Sequence, residues 1–598
     1  MFSSYTSTHP NPSPSLKSPS KSRTATLRTR FYAAVGNFLT ENRNLVIIVI
    51  VLPLGFLFDL FVRLSRDLSR LFARPSTHAE RVAVVCRAVS SRNADPLAKR
   101  KPMCTARANW MNLSTRAVNK TVLNAIPTGH LYHILDIDAE RQTCTVEPMV
   151  TMGVLSAYLA KRGWFFATTI EMDDVTVGGA ALAVGMTTHS HRVGLISENV
   201  LLYEVVLGSG SVVTATADEN PDLFYALPWS HGTLGFVTKL VLRIVPAKEF
   251  VALTYTPIDG GRDEYARRFR EVSERAAVSH AGSPDYFDFI EMTVCSPAVA
   301  VLITGTFADR AADRTESLVR QGRWWSEWWF RRVQDIGTRG CLHRELMPLR
   351  DYLLRHNRSI FWVAADMVNV GNSFLFRYLL GWMMPPKPSF LKFTTTPAVR
   401  KMNFTHLCFQ DITFPMSALE ESLSTTDRLF DMYPLLLYPC RLYDHGRGAQ
   451  GQGQLRAPSP GACLPGTNFS LIFDLGLYGV PGPVRRKEAY HPGLAYKAMD
   501  AFVERVGGHP FLYADTFYTG EAEFERVFDH STYNRVRESY HAADAFPTLF
   551  EKVRPELDVM AACEDAAKVF DAIAAANETA ILRKKTKTGV ASGDKTQL

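Results

Sequence analysis

Residues 176–188 read Thr176, Val177, Gly178, Gly179, Ala180, Ala181, Leu182, Ala183, Val184, Gly185, Met186, Thr187 and Thr188. This stretch restricts the fold more than any other. Adjacent glycines among alanines leave main chain almost without side-chain cover, and glycine takes positive φ at little steric cost. Successive uncovered N–H groups can form a concavity for an anion. Two readings follow: a tight turn with close packing of small residues, or a backbone surface laid against a flat or phosphorylated ligand. The spacing Gly-Gly-x5-Gly is not the Gly-x-Gly-x-x-Gly of a doubly wound dinucleotide site.

Polar residues 187–192 follow, then a hairpin pattern of apolar 201–207, the turn Gly208-Ser209-Gly210, and 211–214. Gly232-Thr233-Leu234-Gly235 and an alternating strand at 239–246 close the region. Upstream, helical spacing marks 80–89 and 151–161, and strand patterns mark 131–137 and 143–146. Together with Met103-Cys104-Thr105-Ala106-Arg107, Val146-Glu147-Pro148-Met149, Asp173-Asp174-Val175-Thr176 and Phe224-Tyr225-Ala226-Leu227-Pro228-Trp229-Ser230, this order resembles the FAD-binding domain of the vanillyl-alcohol-oxidase/p-cresol-methylhydroxylase superfamily. Within it, the chain is similar to the diminuto-type delta(24)-sterol reductases, from about residue 45 to about residue 553.

The resemblance implies an α+β architecture: a two-subdomain FAD-binding domain of p-cresol-methylhydroxylase type, an α+β substrate (cap) domain and an N-terminal transmembrane helix. The expected boundaries are a disordered basic N-terminus at 1–43, an anchor at 44–62, the FAD domain at 79–248, the cap at 249–500 with a loop insertion near 441–466, a return to the FAD domain at 501–560, and a loose basic tail at 581–598. It implies that residues 176–188, Arg107, Gly232 and Gly235 hold the cofactor. Residues 104–110 take the place of a pyrophosphate loop, but contain no glycine and no histidine for covalent attachment. FAD is therefore expected to bind non-covalently, with Arg107 supplying charge that a glycine nest would otherwise give. No second dinucleotide motif is present for NADPH, the implied reductant.

Residues 45–62 are apolar save for Asp59, at the short end of a spanning length, with Pro53 inside. A membrane anchor is the expectation; a buried helix, an interfacial helix and a cleaved signal peptide are the other readings. Arginines flank both ends (Arg43; Arg63, Arg66, Arg70 and Arg74), so charge does not orient it. The resemblance implies a single-pass endoplasmic-reticulum anchor with the catalytic bulk in the cytosol, a sterol substrate, contact with membrane lipid, and other sterol-pathway enzymes as partners. Two aromatic clusters, at 324–332 and 374–386, read as core stripes, as walls of an apolar pocket, or as a surface dipping into lipid. A net charge of +8 concentrated at the two ends favours an anionic membrane surface over nucleic acid, for which no reader motif appears. The nine scattered cysteines are odd in number and include no Cys-x-x-Cys, which argues against a disulfide scaffold or a zinc site and fits a reducing compartment. No nucleophile elbow, zincin motif or Walker loop supports a hydrolase or NTPase.

A side-chain alkene is unpolarised, so its reduction needs a proton at the less substituted carbon and hydride at the tertiary one. The candidate acids are Tyr513, Asp515, His191 and His231, each with a plain alternative role in bonding backbone or lining the cofactor. Competing readings are an FAD-linked oxidase or dehydrogenase of a polar substrate such as an aldonolactone, and a non-catalytic, membrane-tethered sterol-binding protein.

Overall fold

The computed structural model describes residues 42–72, 76–111, 118–310, 316–386, 395, 397–448, 451 and 453–592. The expectation of disorder at 1–43 therefore falls almost wholly outside the described residues, as does the tail beyond 592. The helix Val559–Ser592 runs through the first part of that expected loose tail.

Strands β1 (Met103–Thr105) and β2 (Asn124–Ile126) form a parallel pair. A six-stranded sheet contains β3 (Ile134–Asp138), β4 (Thr143–Val146), β5 (Trp164–Phe166), β6 (Val200–Val206), β7 (Val212–Ala215) and β8 (Phe236–Pro246). Its order is β3-β4-β8-β6-β7, with β5 on the far end of β8. The hairpin expected at 201–214 is β6–β7, turned by Gly210 at φ 93°, a value that favours glycine.

A nine-stranded sheet follows: β9 (Phe250–Ile258), β10 (Phe289–Val294), β11 (Ala300–Ala308), β12 (Ser317–Leu318), β13 (His343–Pro348), β14 (Cys408–Pro415), β15 (Leu435–Tyr443), β16 (Phe469–Gly479) and β17 (His509–Pro510). Its central strands are apolar almost without alternation because both faces are covered. Leu435, Leu437, Phe473, Leu475 and Ile412 pack with residues of the helices Gly261–Val278, Leu419–Phe430 and Pro492–Val506. Leu436, Tyr438, Cys440 and Ile472, pointing the other way, join the core of the six-stranded sheet. Strand alternation thus turns one chosen face of the large sheet toward the small one.

The glycine stretch forms a short helix, Val177–Ala183, where the sequence suggests a tight turn. Tertiary bonds override the low helix propensity of glycine. The Val177 amide donates to Val150 O (2.8 Å) and the Gly178 amide to Pro148 O (2.9 Å). A Cβ on Gly178 would lie 2.4 Å from Pro148 Cβ, so close approach requires glycine there. The helix ends at Val184 with φ 62° and ψ 161°, a strained conformation for a β-branched residue.

The helix His78–Ala94 starts with a Thr77/Glu80 capping box. His78 clamps it to the small sheet, with Nδ1 2.8 Å from Glu147 Oε1 and Nε2 2.8 Å from Glu204 Oε1. Hydrogen bonds to Glu147 and then Glu204 raise the His78 pKa to about 9. Burial pushes both acids up, yet the hydrogen bonds outweigh it. His78, the His133 amide and Arg81 hold Glu147 at about 2; His78, Lys239 and Thr238 do the same for Glu204. The histidine's contribution is fully present below its ordinary 6.5 and is lost as pH rises through about 9. The acids' contribution is present above 4.5 and is lost as pH falls through about 2. His78→Gln is expected to cost about 1–3 kcal/mol near pH 6, with the difference in melting temperature closing as pH approaches 9. An equal loss at both pH values would contradict this.

The apolar segment is a helix, described over Arg43–Val46, Ile47–Val51 and Leu52–Phe72. The middle stretch is a wide π-type turn just before Pro53, which accommodates the missing proline N–H without a break. Its 23 residues Arg43–Ser65 are long and apolar enough to cross a membrane.

Candidate functional site

The 104–110 loop and the glycine stretch meet through Arg107. Its Nη1 donates to Thr176 Oγ1 (3.2 Å) and its Nη2 to Met111 O (2.8 Å). Lys120, unremarked in the sequence, bonds Thr105 O (2.5 Å) and Arg107 O, placing a second cation at this loop. Val177, Ala180, Ala181, Val184 and Met186 are core residues, whereas Gly179 is exposed and Leu182 and Ala183 are half-buried. Facing them is Gly232 at φ 77°, whose missing Cβ leaves 3.9 Å to Leu182 Cδ1. The His231 amide donates to Leu182 O. Of this stretch Gly179 alone is exposed, next to the Thr176 hydroxyl that Arg107 contacts. Gly185 lies against Ile170, where an added Cβ would come within 3.1 Å of Cδ1. Gly235 instead backs onto Val205, at 2.4 Å for an added Cβ, so its role is close strand packing.

Downstream, Thr187 and Thr188 are buried. Thr188 O accepts from the Ile290 amide of β10 (2.9 Å), and its Oγ1 accepts from the Tyr352 hydroxyl (3.2 Å). The glycine segment is thereby stitched to the large sheet. The face of that sheet turned this way carries a row of polar residues: Glu291 on β10, Tyr438 on β15, Asp474 and Tyr478 on β16, and Asp411 on β14. Tyr438 pairs with Asp474, and Asp411 with Gly476. A Cβ at Gly476 would sit 3.0 Å from the Tyr478 hydroxyl, so glycine keeps room for it.

Electrostatics divide this row in two. Arg355, fully buried, donates to Glu291 Oε2 (2.5 Å) and to Tyr438 Oη (3.1 Å), and lies 3.7 Å from Glu171 Oε1. One guanidinium thus serves two buried carboxyls. Burial penalises both, but Arg355 holds Glu291 at about 2. For Glu171 burial outweighs the more distant arginine and lifts it to about 7. The second half is Asp411 and Asp474. Burial raises both, and Asp411 pushes Asp474 further. Tyr478 donates to Asp411 Oδ1, and Tyr513 also hydrogen-bonds that carboxyl. Burial, then the Asp411 charge, keeps both phenols protonated well past their ordinary range. The result is a proton-rich group of two carboxyls and two phenols. His356 Nδ1 and Nε2, Glu171 Oε1 and Glu291 Oε1 are buried without a hydrogen-bond partner among the described residues.

Of the acids proposed from sequence, Tyr513 lies in this group. Asp515 does not: both its oxygens accept from Arg400 at 2.9 Å, and Arg400 also binds Glu556. His191 is buried between the carbonyls of Thr188 (3.1 Å) and Phe287 (2.9 Å), and burial, then His189, depresses its pKa well below the ordinary value. His231 sits half-buried at φ 50° beside Gly232. Sequence reasoning missed Glu171, Glu291, Arg355, His356, Asp411 and Asp474. The available signal was a lone acid inside an apolar strand: Phe289-Ile290-Glu291-Met292, Gln410-Asp411-Ile412 and Phe473-Asp474-Leu475. Such an acid is rarely buried without purpose.

A separate pocket of about 340 Å3 is lined by Arg192, Arg243, Arg441, Glu198 and His445, among others. The nine cysteines are all free.

Residues 71–216 match the FAD binding domain family. Over 520 residues the chain is 35% identical to the delta(24)-sterol reductase of Homo sapiens, covering 86% of this chain and 94% of that one. It is 31% identical to the delta(24)-sterol reductase homolog of Caenorhabditis elegans (88% and 97% covered) and 30% identical to the delta(24)-sterol reductase of Pisum sativum (87% and 92% covered). The chain belongs to the delta(24)-sterol reductase family.

Proposed function

We propose that this chain reduces the side-chain carbon–carbon double bond of a sterol at the delta-24 position, using non-covalent FAD and NADPH, and that it does so anchored in the endoplasmic-reticulum membrane by the helix Arg43–Ser65 with its catalytic bulk in the cytosol. In this reading β1–β8 form the two lobes of the FAD domain, and the nine-stranded sheet is the cap over the substrate. The single observation that carries the chemistry is the Asp411–Tyr478–Tyr513 contact beside Asp474 on the sheet face turned toward the glycine segment.

The residues fit the cofactor on three counts. The exposed backbone at Gly179 lies against Thr176 Oγ1, and Gly232 lies beside Leu182 of the same helix. Arg107 and Lys120 supply charge for a pyrophosphate at the 104–110 loop. The orphaned polar atoms of His356, Glu171 and Glu291 offer partners to the polar edge of a flavin ring. Bound and reduced, FAD supplies the hydride for the alkene.

The chain's own residues supply the rest. Tyr513 or Tyr478 gives a proton to the less substituted alkene carbon and regains one through Asp411 from Asp474, which burial and then the Asp411 charge keep protonated. Glu291, ionised and pinned by Arg355, adds fixed negative charge near the developing tertiary cation. Buried Tyr438, Tyr352 and Trp362 exclude water. The pocket bearing Arg192, Arg243 and Arg441 carries the charge that NADPH phosphates require.

Purified in detergent, the full chain is expected to show a flavin spectrum that NADPH bleaches without air. A 24(25)-unsaturated sterol then restores the colour and gains the mass of two hydrogens. A colourless protein, or oxygen-driven turnover of a sugar lactone instead, would remove the reading.

A further inference from the structure

Next to the apolar helix lies an unusual surface. The helix Phe374–Leu380 and the turn Gly381–Met383 bury Phe376 and Met383 against Val46, Ile47, Val51 and Leu52. Phe56 meets Trp382 edge-on at 4.7 Å. Their other sides face outward: Phe374 and Leu375 are each 68% exposed and Leu379 61%, with Tyr378 and Trp382 also bare. Leu45, Val49, Ile50, Leu54, Leu57 and Phe61 continue this surface along the long helix. A patch this size is not tolerated in water without an occupant. The occupant follows from continuity. Residues 46–56 touch the 368–383 segment, so whatever depth they occupy in lipid, that segment shares. Tyr378 and Trp382 lie among these exposed apolar side chains, with half-buried Arg377 in the same helix, a composition found at membrane interfaces.

The same segment leads inward. Met384 packs against both the core around the anchor helix and the core that contains Trp362. Trp362 Nε1 donates to Tyr478 O (2.6 Å), and the Phe361 ring lies 5.2 Å from that of Tyr478. Ile360 and Phe361 have φ of 46° and 57°, strained values for bulky side chains that mark a place where backbone is held against its preference.

We infer that the face of Phe374, Leu375, Tyr378, Leu379 and Trp382 sits in the bilayer beside the helix Arg43–Phe72 and passes the sterol side chain from lipid to Tyr478 through the strained Ile360–Phe361 segment. The delivery half rests on the sterol-reductase reading; the lipid contact does not, and the test separates them. In the full chain with Cys341→Ser, Leu375→Cys and Leu379→Cys are labelled with an environment-sensitive fluorophore and reconstituted in phosphatidylcholine vesicles. The expected result is blue-shifted emission, quenched by nitroxides on the acyl chains and not by aqueous iodide. The same label at Val278, exposed on a distant helix, is expected to behave oppositely. Quenching by iodide at 375 and 379, or protection already present in dilute detergent that depends on protein concentration and so reports a second copy, overturns the lipid contact. For delivery, Phe374→Glu with Leu379→Glu is expected to lower the ratio of kcat/KM on vesicle-borne sterol to that on detergent-dispersed sterol about tenfold, at unchanged flavin content. An unchanged ratio overturns the delivery route even if turnover itself is normal.

Discussion

Replacing Asp411 by Asn is expected to lower sterol turnover by about 10²–10⁴-fold, the range for loss of a positioned acid, while flavin content and bleaching by NADPH stay near wild type. Asn keeps the shape and accepts from Tyr478 and Tyr513, but it holds no exchangeable acid proton. Tyr513→Phe and Tyr478→Phe are each expected to lose less, since either phenol gives the proton, and the double variant to lose about as much as Asp411→Asn. The two effects should not add, because the groups act as one relay. The pH profile carries the sign. Asp411 and Asp474 are both raised by burial, so wild-type activity is retained above the usual carboxyl range and falls on the alkaline side as the pair ionises. Asp411→Asn flattens that limb. Asp515→Asn, which loosens the Arg400 and Glu556 contacts, should lower the melting temperature and leave the profile's shape alone. Single-turnover oxidation of the reduced protein by sterol measures all of this directly. An Asp411→Asn protein that reoxidises within about threefold of wild type would remove the relay.

Much of the architecture was legible because it rests on local rules. The 201–214 hairpin shows alternation around a glycine turn, and β6–β7 forms there. Thr151 and Lys161 bracket the helix Met152–Ala160 as cap residues, as the spacing indicates. The glycine stretch reads in sequence as small residues in close approach, and Gly178 does pack on Pro148, but its helical form was not visible. That depends on Pro148 and Val150, far along the chain, accepting the first two amides. The acidic row was invisible for a related reason. Asp411, Asp474 and Glu291 come together only through strand order β10-β15-β16-β14, which is not sequential. Periodicity says that an acid lies on one face of a strand; only sheet order says which other acids share it. Histidines attracted attention instead because they titrate near neutral pH, yet His191 is taken up by two carbonyls.

Arg355→Met is expected to be among the most damaging substitutions outside the hydrophobic core. It leaves Glu291, wholly buried and held at about 2 chiefly by this guanidinium, with only the His356 ring 3.9 Å away, which burial keeps neutral. Breaking one side of a buried pair costs about 3–5 kcal/mol, because the remaining charge keeps its desolvation penalty. Melting is expected to fall by about 3–5 °C. Glu291→Gln with Arg355→Met removes both charges and should recover most of that loss, since a buried pair contributes little net stability over neutral groups. Glu171 gives an independent reading of the same imbalance. Its pKa is raised from 4.5 to about 7, so its contribution is present below 4.5 and is lost as pH rises through 7. Glu171→Gln carries no such dependence and is expected to melt above wild type at pH 8 but not at pH 5. If Arg355→Met melted with the wild type, or if the double variant fell as far as the single one, the guanidinium would not be what keeps Glu291 ionised, and the fixed negative charge assigned to it beside the reacting carbon would have to come from another group.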